Sequence, residues 1–274
     1  MLSVILPASN EAGYIGPCLA ALLASDPVPG GAEVIVVANG CRDDTAAHAR
    51  SYAAAAQAAG WRLTVIERPV GDKIGALNAG DAVARGAMRA YLDADVIVSP
   101  ALIAQLVQAL AVAAPRYASG RVEIPAAKSA ITRAYARFWL SLPFAKSVAP
   151  GYGLFAVNAA GRARWGEFPA IISDDTFVRL QFSPAERIGC TAIYRWPMIE
   201  GFSALVRVRR RQNAGVAQIA ALFPGILARE GKPRLGFSGL LRCARAEPMG
   251  FAAYAAVSLA VKARRGGEDW TRGR

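Results

Sequence analysis

The chain has 274 residues, of which 54% are hydrophobic, so it can bury a substantial core and is not expected to be disordered. Its formal net charge is +12, which favours anionic partners such as nucleic acid, an acidic membrane surface or a phosphorylated substrate. The four cysteines are widely spaced and form no CxxC pair, which argues against a zinc site and for free thiols in a reducing cytoplasm. With His48 as its one histidine, a Ser-His-Asp or Cys-His mechanism has little support.

The first half of the chain alternates strand and helix patterns. Short apolar runs predict strands at 2–6, 33–37, 63–66 and 89–92. Helical patterns are found at 15–23, 43–59, 73–85 and 100–113. This order is typical of an α/β fold with a mostly parallel sheet and helices on both faces, in which ligands bind beyond the carboxyl ends of the strands.

The second half is less regular, and its C-terminal part is basic. A strand is predicted at 118–124, and helices are predicted at 130–144 and 173–182. From residue 214 onward, apolar stretches are separated by arginine and lysine, and residues 229–274 hold ten basic and four acidic residues, a balance of +6. Within residues 229–274, the longest uncharged run is 248–261, which has 14 residues. A bilayer-spanning helix needs roughly 20.

An acidic corner follows the predicted strand at 89–92. Side chains alternate along a strand, so Asp93 and Asp95 can share a face. Two carboxylates held that close repel each other unless a cation lies between them. Mg²⁺ is often bound by one or two carboxylates together with the phosphates of a substrate. The pattern therefore favours a divalent cation site, although an isolated Asp-x-Asp is also a common polar turn.

Three further polar segments fall at strand ends or at the start of a helix. They are residues 7–11, residues 38–45 and residues 73–80. In a doubly wound sheet these segments would line one edge together with Asp93 and Asp95. Each is weak evidence alone, since Asn-Gly is usually a turn and a single lysine is usually solvated. Their joint occurrence in this order is a much stronger signal.

This set of motifs resembles the family 2 glycosyltransferases of the GT-A fold. Those enzymes transfer a sugar from a nucleotide diphosphate donor, usually with inversion at the anomeric carbon. The resemblance covers roughly residues 2–215. The motifs that carry it are the Pro…Asn-Glu start, the Asn-Gly-x-x-Asp-Asp-Thr turn, the Lys…Ala-Leu-Asn-x-Gly segment, the Asp-x-Asp and the later Asp174-Asp175. It implies a GT-A, Rossmann-like catalytic domain over residues 1–213 and a basic, partly apolar helical extension over residues 214–274.

The resemblance also implies roles for individual residues. The expected donor-binding residues are Pro7, Ala8, Glu11, Asn39, Lys73, Asn78, Asp93, Arg210 and Arg211. Pro7, Ala8 and Glu11 would border the nucleoside, with Asn39 beside the base. Lys73 and Asn78 would flank the diphosphate and ribose, and Arg210 or Arg211 would neutralise the leaving diphosphate. Asp93 would face the ribose and donor sugar, and Asp95, with Asp93, would hold Mn²⁺ or Mg²⁺.

The Asp174-Asp175 pair stands where the family has its acidic pair. Inverting transfer needs a base that takes the proton of the acceptor hydroxyl, and a carboxylate near a helix N-terminus beside a second acid can be tuned for this. We expect Asp175 to be the base and Asp174 to orient it or to bind the acceptor. Read without the upstream motifs, the pair is more typical of a helix cap.

Two departures from the family pattern bear on the substrate. Many members have Asp-Asp-Gly-Ser at positions 38–41, where this chain has Ala-Asn-Gly-Cys, so the identity of the base stays open. The Gln-x-x-Arg-Trp motif of processive synthases is not found at residues 207–213, which argues against a long processive product. Trp139 and Trp165 can stack on a sugar, but core packing is the better-supported reading of both.

The expected partners are a nucleotide-diphosphate sugar and a carbohydrate or lipid-linked acceptor. No nucleic-acid motif accompanies the positive charge. The extension fits either an anionic membrane surface or packing on the catalytic domain. No signal peptide precedes the first strand, so we expect a cytoplasmic enzyme with the option of peripheral attachment at the inner face of the membrane. The alternatives are a nucleotidyltransferase, although its Gly-rich loop is not found after the first strand, and a non-catalytic basic protein that binds membrane or nucleic acid.

Overall fold

The computed structural model of the protein describes residues 1–231 and 235–263, which form an α/β fold around one eight-stranded sheet. The strands are β1 (Leu2–Ala8), β2 (Ala32–Asn39), β3 (Arg62–Arg68), β4 (Met88–Leu92), β5 (Ile97–Val98), β6 (Tyr117–Glu123), β7 (Leu154–Val157) and β8 (Arg187–Arg195). Their order across the sheet is β3-β2-β1-β4-β7-β6-β8-β5.

Helices surround this sheet and continue into the C-terminal part of the chain. They are α1 (Ile15–Leu23), α2 (Thr45–Ser51), α3 (Ala53–Ala58), α4 (Lys73–Val83), α5 (Leu102–Leu110), α6 (Ala130–Ser141), α7 (Ala159–Arg162), α8 (Asp174–Arg179), α9 (Phe202–Leu222), α10 (Phe237–Ala246) and α11 (Pro248–Ala263). Short 3₁₀ helices cover Pro184–Glu186 and Ile226–Glu230. Among the described residues, no helix combines the length and the apolar character that a membrane crossing requires.

The first half of the sheet has the parallel order that the sequence predicts. Strand β1 pairs in parallel with β2 and β4, and β2 pairs in parallel with β3. All eight residues of β2 are buried, as expected for a strand covered on both faces. Because these strands run in one direction, the segments that follow Ala8, Asn39 and Leu92 meet at one edge of the sheet.

The second half makes the whole sheet mixed. Strand β7 is antiparallel to both β4 and β6, and β5 is antiparallel to β8. Strand β8, which pairs in parallel with β6, has no counterpart among the predicted strands. It begins and ends with an arginine and its residues vary between buried and exposed, so it lacks the continuous apolar run that marks β2.

Helices cover both faces of the sheet, as predicted. Alternation along β1 sends Leu2, Val4 and Leu6 into a core layer with α1 and α5, whereas Ile5 joins a second layer on the other face. The second layer includes Leu77 of α4 and residues of α8 and α9. A third, smaller cluster lies between α6, α9 and α11.

The expected boundary between residues 213 and 214 lies inside α9, which runs without a break from residue 202 to 222. Beyond it, Ile219 is fully buried in the second core layer. Buried Arg179 of α8 forms an ion pair with Glu230, 2.5 Å away. Buried Arg187 donates hydrogen bonds of 2.7 Å to the carbonyls of Arg229 and Glu230. This part of the extension therefore packs on the catalytic half, while residues 232–234 and 264–274 of the predicted basic tail lie outside the described residues.

Candidate functional site

The polar segments at the strand ends line one cavity of about 240 Å³. On the side of the sheet the lining residues are Pro7, Ser9, Glu11, Asn39, Lys73, Asp93, Ala94 and Asp95. They come from the ends of β1, β2 and β4 and from the start of α4. The parallel order of these strands therefore brings together six of the predicted site residues.

A turn at the end of β2 fixes the edge of the cavity. The amide of buried Asn39 donates a 2.9 Å hydrogen bond to the carbonyl of Ala8 and accepts one of 3.0 Å from the backbone nitrogen of Asp72. The following Gly40 has φ of +57°, and a Cβ atom there would lie 2.4 Å from the backbone nitrogen of Gly71. Asn39 thus lines the cavity, but its amide holds three chain segments together.

A second glycine shapes the acidic corner. The backbone nitrogen of Asp93 donates a 2.9 Å hydrogen bond to the carbonyl of Gly153. Gly153 has φ of +76°, and a Cβ atom there would lie 2.5 Å from the ring of Trp196. The loop before β7 therefore supports the acidic corner and lets an aromatic ring approach it closely.

Lys73 connects the acidic corner with the acidic pair. It is the first residue of α4, which Asp72 caps by accepting hydrogen bonds from two backbone nitrogens of the first turn. The Lys73 Nζ atom lies 3.1 Å from Asp93 Oδ1 and 3.1 Å from Asp174 Oδ1. Burial on its own lowers the pKa of Lys73, but the charges of Asp174, Asp93 and Asp175 outweigh it and raise that pKa. Lys73 therefore stays charged across the physiological range.

The two acids of α8 have different environments. Asp174 is buried and paired with Lys73, whereas half-buried Asp175 accepts a 2.6 Å hydrogen bond from the backbone nitrogen of Thr176. Burial raises the pKa of Asp175, and the charge of Asp174 raises it further. The charge of Lys73 and the Thr176 amide act in the opposite direction, and the pKa lies at about 6. Asp175 is thus the carboxylate poised to exchange a proton near neutral pH.

The acidic pair lies behind the main cavity. Asp174 and Asp175 line a small void of about 20 Å³, and Pro7, Lys73 and Asp93 line both this void and the main cavity. Lys73 and Asp93 therefore form the partition between the two.

The wall opposite the strand ends is aromatic and apolar, and sequence reasoning largely missed it. Its residues come from α6, the segment after β8 and α9: Tyr135, Trp139, Trp196, Pro197, Met198, Ile199, Leu205, Val208, Arg209, Arg211 and Gln212. Trp139 packs against Trp196, with ring centroids 6.2 Å apart. Arg209 donates hydrogen bonds to the hydroxyls of Tyr135 (2.9 Å) and Tyr254 (2.6 Å), so it ties this wall to α11.

The other predicted donor-binding residues do not line the cavity, because they contact other parts of the structure. Both ends of the Asn78 amide bond the backbone of Phe168, at 2.8 and 3.2 Å. Arg210 donates a 2.6 Å hydrogen bond to the carbonyl of Ala260 in α11, so Arg211 is the member of the pair that lines the cavity. Ala8 is buried, and its carbonyl accepts from Asn39. Trp165 also packs in the core, as expected, with its ring against Phe168.

The acidic corner fits a hard divalent cation only if a substrate completes the site. Within residues 1–231 and 235–263, no group of three or more His, Cys, Asp or Glu side chains is arranged to bind a metal. Asp93 and Asp95 supply carboxylate oxygens to the cavity, and Mg²⁺ or Mn²⁺ with one or two carboxylates takes its remaining ligands from water and phosphates. The residues present therefore fit a cation that arrives with a diphosphate.

Comparisons with known proteins agree with this fold. A search of curated proteins found no match. The solved structure of mannosyltransferase PcManGT from Pyrobaculum calidifontis, in complex with GDP-Man and Mn²⁺, is similar with a TM-score of 0.60 and 22% identity, over 97% of this chain and 76% of that one. S. aureus TarS 1-349 in complex with UDP-GlcNAc is similar with a TM-score of 0.53 and 16% identity, over 95% and 81%.

At these identities the likenesses show the fold, and they confirm the GT-A architecture that the motifs imply. The family is shown by a separate comparison at the level of sequence. The family model described as glycosyl transferase family 2 matches residues 3–163, more than half of the chain and all of the strand-end motifs. The chain therefore belongs to glycosyl transferase family 2 and is a glycosyltransferase.

Proposed function

We propose that this enzyme transfers a sugar from a nucleoside diphosphate sugar to an acceptor hydroxyl with inversion, assisted by a divalent cation at Asp93 and Asp95. The observation that carries the proposal is the bridge that Lys73 makes between Asp93 and Asp174, 3.1 Å from each. These contacts support a cation-binding corner and a proton-accepting pair on two sides of one lysine. The nucleotide sugars bound to PcManGT and TarS support a donor of the same class.

The donor would lie along the edge of the sheet. Pro7, Glu11 and Asn39 border the nucleoside, and Lys73 and Arg211 provide positive charge for the diphosphate. A divalent cation at Asp93 and Asp95 would neutralise the diphosphate as it leaves with the bonding electrons. The Mn²⁺ in the PcManGT structure supports Mn²⁺ or Mg²⁺ in this role.

The acceptor would react on the side of the acidic pair. Its hydroxyl oxygen forms a bond to the anomeric carbon while the bond from that carbon to the diphosphate oxygen breaks on the opposite face, which inverts the configuration. The hydroxyl proton passes to the carboxylate of Asp175. Asp174, paired with Lys73, raises the pKa of Asp175 and orients that carboxylate without taking the proton itself.

The family assignment decides among the alternatives that the sequence leaves open. It favours transfer of the sugar over synthesis of the nucleotide sugar, and an enzyme over a non-catalytic basic protein. A carbohydrate or lipid-linked acceptor fits the aromatic and apolar wall formed by residues such as Trp139, Trp196 and Met198. All four cysteines are free thiols, consistent with the cytoplasm as the compartment of this proposal.

The cation site can be tested with Asp95→Ala. We expect the affinity of this variant for UDP and GDP in the presence of Mn²⁺, measured by calorimetry, to fall to the value that the unaltered enzyme shows without metal. Asp26→Ala, which removes an exposed carboxylate outside the cavity, serves as the control and should bind as the unaltered enzyme does. If Asp95→Ala keeps the full effect of Mn²⁺ on donor affinity, the cation does not bind at this corner.

The pH dependence of transfer follows from Asp175. Its pKa is raised to about 6, and the carboxylate accepts a proton only when it is deprotonated, so activity is present above pH 6 and lost as the pH falls through it. The charged groups that set this pKa are Asp174, Lys73 and Asp93. We expect the single-turnover rate to fall about tenfold for each pH unit below the pKa. A flat profile down to pH 5, with donor binding intact, would contradict the assignment.

A further inference from the structure

Helix α11 exposes an apolar face that the catalytic site does not use. Gly250, Ala253 and Val257 face inward, where α11 packs against α6 and α9. On the outward side, the spacing of three and four residues gives one continuous stripe: Met249, Ala252, Ala256 and Leu259. Met249 is 72% exposed and Leu259 is 67% exposed, so this stripe presents long apolar side chains to solvent.

The preceding helix, α10, adds bulky apolar side chains of the same kind. Every residue of α10 is at least partly exposed. Phe237, 82% exposed, and Leu241, 40% exposed, lie one helical turn apart. A phenylalanine exposed to this extent loses the hydrophobic stabilisation that burial would give it. We call these residues of α10 and the outward stripe of α11 the C-terminal apolar surface.

Cationic side chains flank this surface. Arg242 and Arg245 of α10 and Lys262 at the end of α11 are all exposed. Glu247 is the one acidic residue of the sequence between 235 and 263, and it forms an ion pair with Arg137 of α6, 3.0 Å away. The charge that α10 and α11 offer to a partner is therefore positive.

We propose that the C-terminal apolar surface docks on an anionic lipid bilayer, with α10 and α11 lying in its interface. Exposed apolar side chains bordered by arginine and lysine are the pattern of an interfacial helix, whose apolar residues enter the acyl boundary while its cations meet lipid phosphates. Within the part of the chain that the structure describes, the longer of the two helices, α11, covers 16 residues and packs against α6 and α9, which favours lying on the membrane over crossing it.

The docked helices are joined to the wall of the cavity. The ring centroids of Tyr135 on α6 and Tyr254 on α11 lie 5.4 Å apart, and Arg209 donates to both hydroxyls. Tyr135 also lines the cavity. A bilayer held against α10 and α11 thus lies one helix away from the aromatic wall of the cavity, which favours an acceptor anchored in that bilayer. This last step rests on the proposed function, whereas the docking itself does not depend on catalysis.

Vesicle flotation with the full chain tests the docking. We expect binding to vesicles of phosphatidylglycerol and phosphatidylcholine at low salt, weak binding to phosphatidylcholine alone, and release of most of the protein at about 1 M salt. The partition coefficient onto these vesicles should fall by at least about tenfold in the triple variant Phe237→Ser/Met249→Ser/Leu259→Ser. Arg242→Gln/Arg245→Gln should lower it by roughly 30-fold.

A matched triple variant controls for the loss of exposed apolar residues. Val70→Ser/Val148→Ser/Leu222→Ser alters residues that are 53–64% exposed elsewhere on the molecule, and it should bind vesicles as the unaltered chain does. Equal vesicle binding by the two triple variants would overturn the proposal, as would no binding by the unaltered chain. Light scattering provides a further test. If the unaltered chain is a dimer, the C-terminal triple variant is a monomer and both bind vesicles equally, the proposal is overturned, because the surface would then bind a second copy of the chain. UDP binding, measured in parallel, reports on the donor site separately.

Discussion

Replacing Asp175 with asparagine is expected to slow sugar transfer by about 10² to 10⁴-fold, the contribution of a positioned proton acceptor. Asparagine keeps the size of the side chain and can still accept the hydrogen bond from the Thr176 backbone nitrogen, so α8 should remain intact. The amide oxygen is too weak a base to take the proton of the acceptor hydroxyl. Donor affinity and the effect of Mn²⁺ should be unchanged, because the cavity of the donor is lined by other residues.

Single-turnover transfer, with donor binding measured separately, checks this prediction. The matched variant is Asp174→Asn, which removes a carboxylate that is buried and paired with Lys73. We expect it to cost less in rate than Asp175→Asn and to act in part through Lys73. Near-normal turnover of Asp175→Asn, or a dead Asp174→Asn with an active Asp175→Asn, would show that the base is assigned to the wrong residue. Loss of the folded state in both variants would instead identify the pair as a helix cap.

Replacing Lys73 with methionine is expected to lower transfer by on the order of 10²-fold, as removal of a positioned charge beside a leaving group does. The Nζ atom lies 3.1 Å from carboxylates of both Asp93 and Asp174, so its loss leaves two acids without their shared cation. Because the charge of Lys73 lowers the pKa of Asp175, its removal should also move the acidic limb of the pH profile to higher pH.

The pH profile separates this role from simple destabilisation. Lys73→Arg keeps the charge, so its acidic limb should stay near pH 6 even if its rate falls. Lys128→Met removes an exposed lysine outside the cavity and should change neither the rate nor the limb. If the limb of Lys73→Met stays where it is in the unaltered enzyme, the lysine does not act on Asp175 electrostatically.

The donor edge of the site could be predicted from the sequence because its parts follow strands that are easy to recognise. After Glu33, residues 34–37 form an uninterrupted run of apolar residues, as a strand buried on both faces requires. The order of such strands along the chain predicts which strand ends lie next to one another in the sheet. Pro7, Glu11, Asn39, Lys73, Asp93 and Asp95 all reach the cavity for this reason. The motifs themselves are local and do not depend on distant packing.

The rest of the site depends on tertiary contacts that no local pattern encodes. Three consecutive arginines of α9 point about 100° apart around the helix, so their partners cannot be read from their order. Arg209 bonds two tyrosines, Arg210 bonds the carbonyl of Ala260 and Arg211 lines the cavity. Asn78 sits in a matching motif, yet the Phe168 backbone, 90 residues away, occupies its amide. Trp196 follows a strand whose mixed pattern escapes detection.

The buried ion pair of Arg179 with Glu230 sets a limit on how the chain can be shortened. Truncation after residue 213 would delete Glu230, leave the Arg179 guanidinium without its carboxylate and remove Ile219 from the core. Unpairing a buried ion of this kind costs about 3–5 kcal/mol, a large share of the stability of a typical domain. A shortened enzyme would lose activity by unfolding before any membrane contact was in question, and a graft of residues 1–213 onto another protein would carry the same defect.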